Sequence, residues 1–166
     1  MGIPEVSCVF CRILGGELTP EVVAYRDVET AVFPSKEQQP GNRGHMLVVP
    51  TRHIAHIYDI SDDLAGPLMM TLALIATAVK RACCADGITI RQNNEPHGGQ
   101  DVFHVHFHVI PRFRNDGFNN GDKRFPYGAV EVPLDERVEQ AMKLSHTLKH
   151  SANPSPHPTR GCRLFP

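Results

Sequence analysis

The segment VFHVHFHVIPR, Val102–Arg112, places His104, His106 and His108 at every second position with apolar residues between them. An imidazole has a reference pKa of about 6.5, so it is largely neutral and nucleophilic at physiological pH. Successive side chains of a β-strand point to opposite faces. The spacing therefore predicts three imidazoles on one face, and Phe103, Val105, Phe107 and Val109 on the other, against a core. Side chains two apart on a strand are roughly 7 Å from each other, which separates His104 from His108 by about 13 Å. A zinc–nitrogen bond is about 2 Å, so one ion cannot easily take all three histidines of a regular strand. The row must be divided among different jobs.

One job is metal ligation. Cys8 and Cys11 have the C-x-x-C spacing that supplies two thiolates to a tetrahedral zinc. No second C-x-x-C exists, so further ligands fall to histidine, from the row itself or from PTRHIAHI with His53 and His56. A mixed Cys2His2 site is the economical reading, against two merely buried thiols. A second job is nucleophilic attack on phosphorus, giving a phosphoramidate intermediate that water later breaks. The attacking ring nitrogen must be free of its proton, so a carbonyl or polar neighbour has to fix the tautomer. The turn HGGQD, before the row, offers backbone amides to a phosphate, and Gln100 one more hydrogen bond. The bland alternative, a polar sheet face of satisfied histidines, is disfavoured by three imidazoles in strict alternation beside a Gly-Gly turn.

The elements that must carry these residues read as α+β. EVVAY (Glu21–Tyr25) and TAVF (Thr30–Phe33) are β-like runs, PSKEQQPGNRG is a loop, and HMLVVP (His45–Pro50) is a buried strand that Pro50 ends. Leu64, Leu68, Leu72, Ile75, Val79 and Cys83 then recur at helical spacing. Ser61 is the expected N-cap, Gly87 the expected stop, and Gly66-Pro67 places the regular helix start at Pro67. GITIRQN (Gly87–Asn93) and the histidine strand form an antiparallel hairpin. A second helix is expected over Leu134–Lys149, with Leu134, Val138, Met142 and Leu148 as its apolar stripe. The proline-rich tail SANPSPHPTRGCRLFP has little to bury.

The chain has 166 residues, enough for one domain with a real core. Its formal charge of −1 argues against nucleic acid or an anionic membrane as partner. No run approaches the eighteen apolar residues of a membrane span. MGIPEVSCVFCRILGG lacks the pattern of a secretory signal, and Val6 weakens a myristoylation reading. Five cysteines without such a signal argue against a disulfide framework, and the expected location is cytoplasmic.

His104-Val105-His106-Phe107-His108-Val109-Ile110 resembles the H-φ-H-φ-H-φ-φ motif of the histidine-triad (HIT) nucleotide hydrolases and transferases. CVFCRILGGEL, GHMLVVPTRHI and GQDVFHVHFHVIPRF resemble the family's blocks in the family's order, from Cys8 to Phe113. The resemblance divides the chain into a HIT domain, 1–114, and an extension, 115–166, similar to that of some bacterial members. It implies an antiparallel sheet of about five strands with one long helix, a C-terminal helix, and a homodimer with the Leu64–Cys84 helix as candidate interface.

The resemblance also implies a nucleotide partner, cleaved at its α-phosphorus through transfer to His106. His108, which is Gln in the uridylyltransferase relatives, points to the hydrolase branch, and His45 is the fourth active-site histidine. Cys8, Cys11, His53 and His104 become ligands of a structural zinc. Asn93 and Gln100 fall near the phosphates, Val9, Phe10 and Ile13 at the base pocket, and Ser35 (or Glu37) near the ribose. Asp101 stands where many hydrolase members have Ser or Thr. A carboxylate repels phosphate at close range, so Asp101 either turns away or suits a cationic or protonated leaving group. The expected reaction is hydrolysis of a nucleoside phosphoramidate or a dinucleoside polyphosphate. The competing class is a nucleotide- or partner-binding protein of the same fold without turnover.

Overall fold

The computed structural model describes residues 7–114, 116 and 128–150. The tail with Cys162, the segment MGIPEV and most of NDGFNNGDKRFPYG lie outside them.

A five-stranded antiparallel sheet organises the chain, in the order β1-β2-β4-β6-β5. Its strands are β1 (Tyr25–Arg26), β2 (Thr30–Pro34), β4 (Met46–Pro50), β5 (Gly87–Gln92) and β6 (Phe107–Arg112). A separate two-stranded ladder joins β3 (Glu37–Gln38) to β7 (Val130–Glu131). The helices are α1 (Val9–Leu14), α2 (Asp62–Ala82) and α3 (Leu134–His150). Every residue of β2 and β4 is buried, because both faces of the central sheet are covered.

Alternation decides which residue meets which layer. On one face Val32, Met46, Val48, Val105, Phe107 and Val109 pack with Leu68, Leu72, Ile75 and Val79 of α2 and with Ala141 and Leu144 of α3. On the other, Ala31, Phe33, Leu47 and Val49 pack with Phe10, Ile13 and Leu14 of α1. His108 is paired with Leu47 and Arg91 across the sheet and shares their face. The histidines thus belong to the α1 side, and the long helix backs the sheet from behind.

Several expectations are corrected. The run Glu21–Tyr25 is not a strand: Pro20–Val22 is a 3-10 turn, and β1 begins only at Tyr25. Pro20 at the first position of that turn fixes the backbone the turn needs. Helix α2 starts at Asp62 with Pro67 inside it. So near the N-terminus, proline forfeits a single bond, the one its N–H would give to the Asp63 carbonyl. Ser61 is the N-cap residue but makes no side-chain capping bond. Gly87 opens β5; the helix has already ended at Ala82. The loop after β2 contains β3. In α3 the buried residues are Gln140, Ala141 and Leu144; of the expected stripe Val138 and Leu148 pack against the core, whereas Leu134 and Met142, the latter 68% exposed, do not.

By length and composition α2 is apolar enough to cross a membrane. Its apolar stripe is nevertheless spent on the sheet, since Leu64, Leu68, Leu72, Ile75 and Val79 are all buried there.

The most consequential correction concerns the histidine row. Only Phe107–Arg112 is strand; His104 and His106 precede it. Continued two residues past Val48↔Phe107, the β4–β6 register would set Val105 opposite Pro50. Pro50 has no N–H to give, and the Val105 N–H instead bonds the Ile54 carbonyl at 2.7 Å. The ladder stops there, and the chain turns tightly, with the His104 N–H on the Val102 carbonyl at 2.9 Å.

Candidate active site and metal centre

Cys8 immediately precedes α1 and Cys11 lies three residues on, within its first turn, so both thiols face the same way. His53 follows β4, and His104 closes the group from the bend before β6. The four ligand atoms lie within 4.8 Å of one another. Cys8 Sγ is 3.5 Å and Cys11 Sγ 3.6 Å from His104 Nδ1, and Cys11 Sγ is 3.3 Å from His53 Nδ1. A tetrahedral ion with bonds of about 2.3 Å to sulfur and about 2.0 Å to nitrogen sets sulfur–nitrogen separations at roughly 3.5 Å. The residues fit such an ion. His104 is fully buried and donates Nε2–H to the Pro50 carbonyl at 3.0 Å, which leaves Nδ1 unprotonated toward the cluster. Burial pushes its pKa down to about 4, in keeping with a neutral ligand.

His106 uses the neighbouring carbonyl. Its Nδ1 donates to the His104 oxygen at 2.7 Å, so the proton is held there and Nε2 carries the lone pair. This contact between residues two apart exists only because the chain bends; a straight strand would hold them too far from each other. The ring stands edge-on to Phe10, with centroids 5.2 Å apart. Burial lowers the His106 pKa, opposed by the His104 carbonyl bond and by the charge of Asp101. Asp101 is exposed, yet near enough for its charge to act on His106.

His45 and His108 form a second pair, His45 Nε2 to His108 Nδ1 at 2.9 Å. The Glu37 carbonyl also bonds the His45 ring. A carbonyl only accepts, so neutral His45 spends its single proton on Glu37. His45 Nε2 must then accept from His108 Nδ1–H, and His108 presents Nε2 as an acceptor. Burial pushes His45 down to about 3 and His108 to about 2, with the charges of His106 and Arg91 adding to the latter. The rings of His106 and His108 are 4.9 Å apart, so the bend gathers what the alternation alone would have spaced evenly.

The remaining expected residues are placed as follows. All four hydrogen-bonding positions of the Gln100 amide are used within the chain. It donates to the Ala55 and Val102 carbonyls at 2.8 and 3.0 Å, and accepts from the Glu95 N–H at 2.8 Å and His56 Nδ1 at 3.0 Å. Gln100 therefore builds the turn. Asn93 donates to the Gly99 carbonyl and accepts from Arg91 Nε, each at 3.0 Å. Phe10 and Ile13 are core residues, with Val9 partly exposed on the turn beside them. Ser35 is buried and gives its hydroxyl to the Glu37 carbonyl at 2.8 Å, which ties it to the His45 arrangement.

Sequence reasoning missed Arg91, the cross-strand partner of His108, although the register of the expected hairpin could have found it. It also missed Gln38 and Gln140. No local pattern marks two glutamines 102 residues apart as a buried pair.

A family model described as HIT domain matches residues 17–115, more than half of the chain, and leaves the C-x-x-C segment outside. An uncharacterized HIT-like protein of Methanocaldococcus jannaschii is 37% identical over 134 residues, covering 80% of this chain and 97% of its own. An adenosine 5'-monophosphoramidase of Schizosaccharomyces pombe is 28% identical over 140 residues, 83% of this chain and 100% of its own. The crystal structure of a Zn-bound histidine triad family protein from Mycobacterium smegmatis superposes with a TM-score of 0.68 at 32% identity, covering 87% of this chain and 95% of its own. Sequence blocks, sheet order and domain match agree, and the chain belongs to the histidine-triad (HIT) family.

Proposed function

We propose that this protein is a nucleotide hydrolase that cleaves at the α-phosphorus through a covalent nucleotidyl-His106 intermediate, with nucleoside phosphoramidates as its substrate class. The observation that carries the reading is the 2.7 Å bond from His106 Nδ1 to the His104 carbonyl, which makes Nε2 the nucleophile. Nε2 attacks phosphorus, the phosphorus–nitrogen bond to the amine breaks, and the nitrogen, protonated from solvent, leaves with that electron pair as the free amine. Water then attacks the same phosphorus and passes its proton by way of His108 Nε2 to solvent, the phosphorus–Nε2 bond breaks, and the monophosphate and the free imidazole are released. His108 Nε2 accepts a hydrogen bond from the amine N–H and later from the water. His45 holds that ring, while Asn93 and the turn fixed by Gln100 line the phosphate side, and Val9, Phe10, Ile13 and Ser35 the nucleoside side.

The Asp101 charge reaching His106 favours an amine over a polyphosphate as leaving group. The name of the Schizosaccharomyces pombe relative agrees with that choice. Dinucleoside polyphosphates are the second substrate class.

Cys8, Cys11, His53 and His104 hold a structural zinc, a closed four-ligand site that leaves no position for substrate. Its chemistry is mechanical. It fixes His104, whose carbonyl holds the His106 ring. Residues 1–114 act as the HIT domain and 115–166 as an extension. Met69, Met70 and Leu74 on the outer side of α2 are exposed, a surface suited to a second copy of the chain.

The test follows AMP release from adenosine phosphoramidate and from diadenosine tetraphosphate, with wild type and His106→Asn at equal zinc content. Turnover of the phosphoramidate by wild type alone is expected. Nucleotide binding without turnover of either substrate would instead make the histidines a binding surface.

A further inference from the structure

The His45–His108 pair depends on residues remote from both. Gln38 and Gln140 are each 1% exposed. Burying two amides is costly unless their hydrogen bonds are made, and here they are. Gln38 Nε2 donates to the Ser35 carbonyl at 3.0 Å and to Gln140 Oε1 at 2.8 Å. Gln38 Oε1 accepts the Gly44 N–H at 3.0 Å and Gln140 Nε2 at 3.3 Å. Gln38 therefore ties residue 35 to residue 44, the two ends of the loop that delivers His45. Gly44 has φ +97°, a conformation open to glycine, and this aims its N–H at Gln38 immediately before His45 enters the sheet.

The same loop is clamped by the C-terminal segment. Glu37 pairs with Glu131 and Gln38 with Val130 in the β3–β7 ladder. The Val132 N–H bonds the Lys36 carbonyl at 2.8 Å, and Arg43 Nε lies 3.4 Å from Glu136. All these bonds converge on the stretch whose Glu37 carbonyl receives the His45 proton.

We infer that the buried Gln38–Gln140 pair, together with the β3–β7 ladder, makes the C-terminal segment a positioning element of the catalytic centre, holding the Glu37 carbonyl that sets the tautomers of His45 and His108. Gln38 and Gln140 are positioning residues; they touch neither reacting atoms nor the metal cluster. If the carbonyl drifts, His45 can carry its proton on Nε2 and donate it to His108 Nδ1. The His108 proton then moves to Nε2, and the ring presents a donor where it had presented an acceptor. For its kinetic consequence the inference rests on the hydrolase reading above; for the ring tautomers it does not.

The test uses the full chain with its metal. Gln140→Met keeps the volume and removes the hydrogen bonds. Gln140→Glu keeps the acceptor that Gln38 Nε2 uses and, as the protonated acid that burial and the facing Glu136 carboxylate favour, a donor in place of the amide N–H. Leu144→Ala destabilises the same helix without touching the amide pair. Ring-nitrogen NMR signals of His45 and His108 are read alongside kcat, KM and thermal midpoint. Gln140→Met is expected to move the His45 signals from the Nδ1–H toward the Nε2–H pattern and to lower kcat roughly tenfold with KM within about twofold. Gln140→Glu restores the wild-type ring pattern, and Leu144→Ala lowers the midpoint with the pattern unchanged. The inference is overturned if Gln140→Met changes the midpoint alone, or if Leu144→Ala shifts the rings equally. Should Gln140→Met not fold, a wild-type ring pattern in Gln140→Glu supports the inference and a shifted one overturns it. A wild type inactive on every nucleotide would defeat the hydrolase reading, and the ring signals would still decide this one.

Discussion

At the scale of single residues, the site is a set of neutral imidazoles whose protons are placed by carbonyls. Pro50 holds the His104 proton, His104 that of His106, and Glu37 that of His45. The pH dependence of stability follows from that neutrality. In the unfolded chain His45 and His108 titrate at about 6.5, whereas burial pushes them down to about 3 and about 2 in the fold. Between those limits the unfolded state binds more protons, so stability rises with pH and is lost as pH falls through about 6.5. At pH 5.5 each group is expected to cost roughly 1.4 kcal/mol, so the urea midpoint should fall between pH 7.5 and 5.5. His108→Gln should flatten that slope; an unchanged slope would show that the imidazole takes up its proton in the fold as readily as in the unfolded chain. Asp101→Ser is expected to shift preference from amine toward phosphate leaving groups, several-fold in the kcat/KM ratio. The same ratio in both proteins would remove Asp101 from leaving-group selection.

At the scale of elements, α2 carries a removable defect. Pro67 is exposed inside the helix, and Pro67→Ala restores a backbone bond, so a gain of about 1–2 kcal/mol is expected by chemical denaturation. A loss would mean that the proline shapes the helix entry. Strands β2, β4 and β5 were legible as short apolar or β-branched runs bounded by turn residues, and the stripe of α2 because period 3.6 buries one face consistently. The histidine strand was only half legible. Alternation continues through His104, but the ladder needs an N–H that Pro50 lacks, a fact about its neighbour and not about the row. Helix α3 was half legible for a related reason: Val138 and Leu148 pack on the core as expected, but its inward positions also include Gln140, polar by composition and buried by its partner Gln38, while Met142 faces outward. The four metal-cluster residues were brought together as the family resemblance implied. The buried amides had no local signal.

At the scale of the whole molecule, the candidate metal cluster and the proposed catalytic centre are two residues apart and mechanically joined, since His104 of the cluster supplies the carbonyl that orients His106. Chelation of the metal is expected to lower the thermal midpoint and to weaken turnover, with both recovered on adding zinc back. Unchanged stability would leave the cysteines as buried thiols. The two faces of the sheet divide the labour, with α2 and α3 forming the back and α1 the reactive side. The central claim is that His106 becomes covalently nucleotidylated. Its most direct measurement is a cold denaturant quench at alkaline pH, which preserves a phosphorus–nitrogen bond, during turnover of adenosine phosphoramidate, followed by mass spectrometry of the peptide containing Val102–Arg112 without acid. An adenylyl group on His106, absent from His106→Asn, is the result the account predicts; wild-type turnover with no adduct on that peptide under any quench time would contradict it.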